Sequence, residues 1–218
     1  MKSSQFFDLS HSILGKVLED RSPFQVIADL PHLLPKLMER LPDHYQEIMP
    51  DVWVGRKVAI DPFARIIGPC IIGEGTEIRP GAFIRGNVVI GDHCVIGNAV
   101  EVKQAILFDG VQAPHYNYIG DGILGYKAHL GAGAIMSNFR SLPGDITIKM
   151  PDGSRYPTGL PKFSALVGDH VEVGCQVVLN PGTVIGKSSM VYPLQSVRGW
   201  LGSNLIFKSP EEIKKRTS

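Results

Sequence analysis

From Val54 onward the chain repeats itself every six residues. Val54, Ile60, Ile66, Ile72, Ile78, Ile84, Ile90, Ile96 and Val102 are all Val or Ile. Four residues after each comes a small or branched side chain: Val58, Ala64, Cys70, Thr76, Ala82, Val88, Cys94, Val100 and Ile106. Glycine follows the aliphatic residue directly in Val54-Gly55, Ile72-Gly73, Ile90-Gly91 and Ile96-Gly97, and a second run, Val167, Val173, Leu179, Ile185, Val191 and Val197, keeps the same step. A helix repeats every 3.6 residues and a flat strand every two, so neither explains the pattern. A short strand and a turn, three to a coil of about 18 residues, does explain it. Each aliphatic residue then points into a triangular prism and stacks on its equivalents about 4.8 Å away. The small residue fits the crowded corner. The pattern therefore predicts an all-β parallel β-helix over residues 51–203, with the fourth-position residues, Ile106 among them, at the crowded corners.

Three segments fall outside the repeat. Residues 1–50 read as helical: Ser22-Pro23 is a cap followed by proline at the first helical position. PFQVIADLPHLLPKLMERL then carries apolar residues at three and four spacing, with Pro31 and Pro35 predicted to break it into short helices. These helices are expected to cap the open end of the prism and cover strand edges that would otherwise pair. Residues 140–165 interrupt the coils, where DITIKM, Pro151-Asp152-Gly153 and SRYPT predict a hairpin arm. The tail, 204–218, ends in SPEEIKKRTS, whose Ser-Pro and two acids predict a short terminal helix.

Composition narrows the function. The 218 residues hold 22 Lys plus Arg against 21 Asp plus Glu, so no strong field for nucleic acid or membrane is expected. No apolar run reaches the roughly 18–20 residues of a membrane span, and MKSSQFFDLSHS lacks the apolar core of a signal peptide. Cys70, Cys94 and Cys175 have no paired spacing, which reads as a reduced, cytoplasmic protein. The 24 glycines and 16 prolines suit many short strands and tight turns.

The period also names neighbours. Arg85 and Lys103 fall on one face, one coil apart; two stacked cations repel unless an anion lies between them, or splay apart as solvated charges. The stretch Ala113-Pro114-His115-Tyr116-Asn117-Tyr118-Ile119-Gly120-Asp121 breaks the repeat, and beyond it the aliphatic step shortens by one between Ile119 and Leu124. His115 there has the chemistry of a general base, or is a hydrogen-bonded surface histidine.

IGNAVEVK (96–103), PHYNYIGD (114–121), LGAGAIMSNF (130–139) and KFSALVGDHVEVG (162–174) decide between these. In order and spacing they resemble the acetyltransferase domain of bifunctional UDP-N-acetylglucosamine pyrophosphorylase/glucosamine-1-phosphate N-acetyltransferases. The likeness extends to the archaeal-type sugar-1-phosphate nucleotidylyltransferases that carry such a domain. The resemblance implies a left-handed β-helix, a homotrimer, acetyl-coenzyme A as donor, an amino-sugar 1-phosphate as acceptor, and no requirement for a metal. It places His115 on the catalytic base and Arg85 and Lys103 on phosphate- and sugar-binding cations. Tyr118 and Asn138 fall on sugar contacts, and Lys162 on a lysine that reaches the substrate from an adjacent subunit. Ala132 and Cys175 fall on positions bordering acetyl-coenzyme A; core packing is the alternative for Cys175 and the expectation for Cys70 and Cys94. His129 stands where bacterial relatives carry a sugar-contacting asparagine, and Phe139 where they carry tyrosine. No Gly-rich nucleotide-binding segment is present, so this chain is not expected to make a nucleotide sugar by itself. Two other classes stand beside this one. A zinc hydrolyase could draw on His93, His115, His129 and His170, although no two histidines have the five-residue separation such a site uses. A non-catalytic trimeric partner or regulator of a separate nucleotidylyltransferase would dock through the helical N-terminus.

Overall fold

In the computed structural model, which describes residues 1–216, the six-residue repeat becomes a parallel β-helix with three faces. The first face runs through Val52–Val54, Cys70–Ile72, Val88–Ile90, Ala165–Val167 and Thr183–Ile185. The second includes Glu77–Ile78, Val95–Asn98, Gln112–His115 and His129–Leu130, and the third Phe83–Ile84, Ile135–Met136 and Val178–Leu179. Strands pair in parallel from coil to coil, so Ile72 sits between Val54 and Ile90, and Ile78 pairs with Ile96 through the same register. The inward residues, from Ile72 to Val197, form one buried column.

The register slips where the chemistry begins. Val102 pairs with Ile84, but Ile106 pairs with Val89, so the coil loses one residue inside the strand Glu101–Leu107. Gln104 absorbs the slip with φ +47°. Ala105 therefore takes the place that the six-residue step gives to Ile106, packing in the inner column, and Ile106 points outward. The shortened step between Ile119 and Leu124 repeats this one coil later, both residues being inward within Tyr118–Leu124.

The N-terminal helices lie along the first face, not over the end of the prism. On that face Ile71, Val89, Ile106, Ile123, Leu166 and Val184 point outward and are buried against Phe7, Ile27, Leu30 and Leu34. The reason is in the strands: CII, VVI and ALV are apolar on both sides, and a sheet buried on both sides must be covered. The end of the prism is met instead by the strand Gln46–Met49, which turns back antiparallel onto Val52–Val54, so extended chain begins before residue 51.

Nor do the prolines break the helix. Pro23–Met38 is continuous, with Pro31 and Pro35 inside it, and Ser22 and Gln25 form the predicted cap. Pro31 offers no N–H to the carbonyl of Ile27 four residues earlier. Gln104 replaces it, donating from Nε2 to the Ile27 oxygen at 2.6 Å. The same residue that absorbs the register slip thus satisfies the proline's orphaned acceptor. Gln104→Ala should lower the unfolding free energy by about 1–3 kcal/mol, the cost of an unpaired part-buried acceptor. Urea denaturation measures it; unchanged stability would mean that water replaces the amide at Ile27.

The arm is a two-stranded antiparallel hairpin, Thr147–Lys149 against Arg155–Pro157, with Ile148 opposite Tyr156. Ile146 and Ile148 are buried in the same cluster as the helical cover. The tail is a hairpin too, not a helix: Leu205–Ser209 pairs antiparallel with Glu212–Lys215. Ser209 Oγ accepts from the backbone of Glu211 and Glu212 at 3.2 and 3.1 Å, which makes a turn of the Ser-Pro-Glu sequence. Phe207, 7% exposed, closes the inner column, which holds the segment extended. Residues 217–218 of that tail lie outside the described residues. No helix among the described residues is long and apolar enough to cross a membrane.

Candidate functional site

The edge between the second and third faces carries one column of the predicted residues. His115 pairs with Asn98, and the register Gln112–His129–Glu172 continues the same edge through Ala132 to Cys175. The backbone confirms the stacking: Gly133 N donates to His115 O at 3.0 Å, and Gln176 N to Ala132 O at 2.8 Å. With coils about 4.8 Å apart, Cys175 lies about 10 Å along the edge from His115.

The His115 side chain is exposed, yet its backbone is pinned. His115 N donates to Asn117 Oδ1 at 3.3 Å, and Asn117, 2% exposed, donates from Nδ2 to Gly131 O at 2.8 Å and Ala134 O at 3.2 Å. Tyr116 between them turns with φ +53°, presenting its ring to solvent. Gly97 beneath has no room for a Cβ, which would meet the Pro114 carbonyl. Asn117 fixes the backbone at His115 and was not given a role in the sequence reading, although it lies in the quoted motif; Gly97 was marked there only as part of the repeat. An asparagine between two tyrosines, off the six-residue step, was the available signal.

A groove of about 310 Å³ opens beside this edge, lined by His129, Gly131, Cys175, Met190 and Tyr192 among others. Cys175 is exposed, so it is not a core residue, whereas Cys70 and Cys94 are buried and their thiols are pushed up by desolvation. His129 Nδ1 lies 2.9 Å from Glu172 Oε2 at the groove's side.

The opposite edge of the third face gathers a second group. Lys103 Nζ lies 2.8 Å from Asp121 Oδ2, and Asn138 Nδ2 donates to the same oxygen. Asp121 is 7% exposed, so its charge is held by these two partners. Tyr118 joins them: burial raises its phenol, which Lys103 and Asn138 oppose. A Cβ on Gly120 would stand 2.6 Å from the Tyr118 hydroxyl, so the glycine makes room for that ring. Asp121 is the residue missed here, although it closes the motif PHYNYIGD.

Arg85 is beside Lys103, as the spacing predicts, with Arg85 N donating to Val102 O at 2.8 Å. Carboxylates of the chain itself stand beside both cations. Each has its own carboxylate, Arg85 Nη1 meeting Glu101 Oε1 at 2.6 Å and Lys103 meeting Asp121. Lys162 is exposed where the arm rejoins the prism, next to Phe163, whose N–H donates to Asn138 O at 3.1 Å. His115 and the Lys103–Asp121–Asn138 group thus sit at opposite edges of one face, and a single chain does not bring them together. Among the described residues no three His, Cys, Asp or Glu side chains of one chain form a group fit for a metal.

The repeat, the three-faced prism and the two edge columns define a hexapeptide-repeat parallel β-helix. The family described as the GMPPB C-terminal domain matches residues 66–197, more than half of the chain, and the chain belongs to that family. A bifunctional sugar-1-phosphate nucleotidylyltransferase/acetyltransferase of Sulfurisphaera tokodaii is 33% identical over 167 residues, 68% of this chain and 41% of that protein. The bifunctional protein GlmU of Methanococcus aeolicus is 33% identical over 179 residues, 73% of this chain and 39% of that one. The chain thus spans about two fifths of these relatives. Among solved structures, WeeI of Acinetobacter baumannii aligns over 88% of this chain and 66% of its own, with TM-score 0.45 and 16% identity. The acetyltransferase domain of PglB from Neisseria gonorrhoeae, in complex with acetyl coenzyme A, aligns over 65% and 54%, with TM-score 0.40 and 18% identity.

Proposed function

We propose that this chain is a cytoplasmic N-acetyltransferase that moves an acetyl group from acetyl-coenzyme A to the amine of an amino-sugar 1-phosphate. The observation that carries the reading is the edge column His115–Ala132–Cys175 beside an open groove, in a member of this family. The acetyl thioester lies along that edge, bordered by Ala132 and Cys175. The sugar amine attacks the thioester carbonyl carbon, the carbon–sulfur bond breaks, and coenzyme A leaves as the thiolate. His115 takes the proton that the amine nitrogen loses. No enzyme-bound acyl intermediate is needed.

The acceptor is held at the other edge by Lys103, Tyr118 and Asn138, with Asp121 setting their positions and Arg85 facing the sugar phosphate. Because the two edges of one chain are a full face apart, each site is completed by a neighbouring copy, and a homotrimer of triangular prisms supplies three such seams. Lys162, free of ion pairs among the described residues, reaches across one seam to the phosphate. His129 hydrogen-bonds the acceptor from the groove's side. Nucleotidyl transfer belongs in this reading to another domain or to a separate nucleotidylyltransferase that takes up the acetylated product.

The test is to incubate the protein with acetyl-coenzyme A and glucosamine 1-phosphate and follow free thiol. Release that requires the sugar supports the reading. Coenzyme binding without release moves the acceptor to a different amine. No binding and no release would overturn it and favour a non-catalytic role beside a nucleotidylyltransferase.

A further inference from the structure

The arm creates a cluster of cations that the proposed chemistry does not use. Gly182 and Gly199 turn the edge between the third and first faces with φ +83° and +78°. A Cβ on either would stand 2.6 Å from Thr147 O or 2.8 Å from Lys149 O, so the strand Thr147–Lys149 is seated directly on that edge. Seating it there brings Lys149 and Arg155 of the arm to Arg198 of the prism and to Arg140 at the arm's root, around a cleft of about 100 Å³. No carboxylate lines the cleft among the described residues.

These four cations differ from Arg85 and Lys103, which are each neutralised within the chain. Arg140 is held by backbone alone, its guanidinium donating to the carbonyls of Leu142 and Pro143. Arg155 reaches only Thr147 Oγ1, at 3.4 Å. Lys149 and Arg198 are exposed and make no ion pair among the described residues. Like charges gathered by a rigid backbone and left without counter-charges repel one another, and an anion seated among them removes that repulsion. Guanidinium forks match phosphate oxygens in pairs, and the ammonium adds a point charge. The cleft has room for a phosphoryl group among these four side chains.

We infer that the cleft between the arm and the prism binds the phosphate or diphosphate group of a small ligand. That group could be the 3′-phosphate of coenzyme A, the diphosphate of a nucleotide sugar, or free inorganic diphosphate. The inference stands on binding alone and does not need acetyl transfer to occur.

Calorimetric titration with inorganic pyrophosphate tests it directly, on wild type and on the double variant Lys149→Ser/Arg198→Ser, whose replaced side chains are exposed and whose fold circular dichroism checks. Pyrophosphate should bind wild type with heat that weakens as salt rises, and bind the variant at least tenfold more weakly. Paired ligands then find the source. Coenzyme A bound more tightly than dephospho-coenzyme A, with the difference lost in the variant, assigns the 3′-phosphate. UDP-glucosamine bound more tightly than glucosamine 1-phosphate, again only in wild type, assigns the nucleotide diphosphate. Pyrophosphate alone discriminating assigns the free anion. Equal pyrophosphate binding by wild type and variant, or none by wild type, overturns the inference.

Discussion

Replacing His115 with alanine should lower the rate of thiol release by about 10²- to 10⁴-fold, the usual contribution of a positioned general base. The proposed trimer and the fold should be untouched. The reason for expecting so clean an effect is that the side chain is exposed and holds nothing together. What fixes the residue is its backbone: the carbonyl accepts from Gly133 N at 3.0 Å, and the N–H donates to Asn117 at 3.3 Å. Alanine keeps both contacts, and Asn117 keeps its own to Gly131 and Ala134. The loss should therefore fall on kcat at saturating acetyl-coenzyme A, with KM for the donor nearly unchanged, because the groove beside Cys175 is not lined by His115. Steady-state kinetics with unchanged sedimentation would check both halves. Full activity in the variant would remove His115 from the mechanism and leave the amine to lose its proton to water.

The residues that sequence reasoning placed well share a physical trait: each is fixed by a step of six or by a local turn. The stacking of Ile72, Ile90 and their equivalents follows from the step, and so does the neighbourhood of Arg85 and Lys103. The arm follows from its own Asp-Gly turn. The errors arise where a second layer acts. A six-residue step marks only which residues point inward, so Ile71, Val89 and Leu166, lying between two inward positions, carried no signal in it. Read as triads, CII, VVI and ALV are apolar on both sides and announce a covered face. The Ile27 carbonyl that Pro31 leaves without a donor is met by Gln104, 77 residues from Ile27 in sequence, and no local rule supplies that partner. Asp121 escaped notice for a related reason. Its importance lies in two partners, Lys103 and Asn138, that the coil brings from either side.

That covered face leads to the other large effect. Asp169→Ala should destabilise the protein by about 3 kcal/mol, the lower end of the range for breaking a buried ion pair, since Lys187 is partly solvated. Asp169 is 3% exposed and ties three elements at once. Its carboxylate accepts from Asp8 N at 2.6 Å and from Tyr126 N at 2.8 Å, and Lys187 Nζ lies 3.1 Å away. Its own N–H donates to Phe6 O at 3.0 Å, a backbone contact that alanine keeps. Removing the carboxylate leaves two donors and a cation without their acceptor where the N-terminal segment meets the prism. Opening should therefore be local first: limited proteolysis should cut within residues 1–20 of the variant faster than in wild type, and urea denaturation should give the total loss. Asp169→Asn, which retains one acceptor oxygen, should recover part of it. The His115 edge lies away from this face and is fixed by Asn117 and Gly133, so thiol release below the unfolding range should persist in Asp169→Ala. If activity instead fell in step with the opening of the N-terminus, the helical cover would have to take part in holding the prisms together, because only the seams between copies join the two edges of the proposed site.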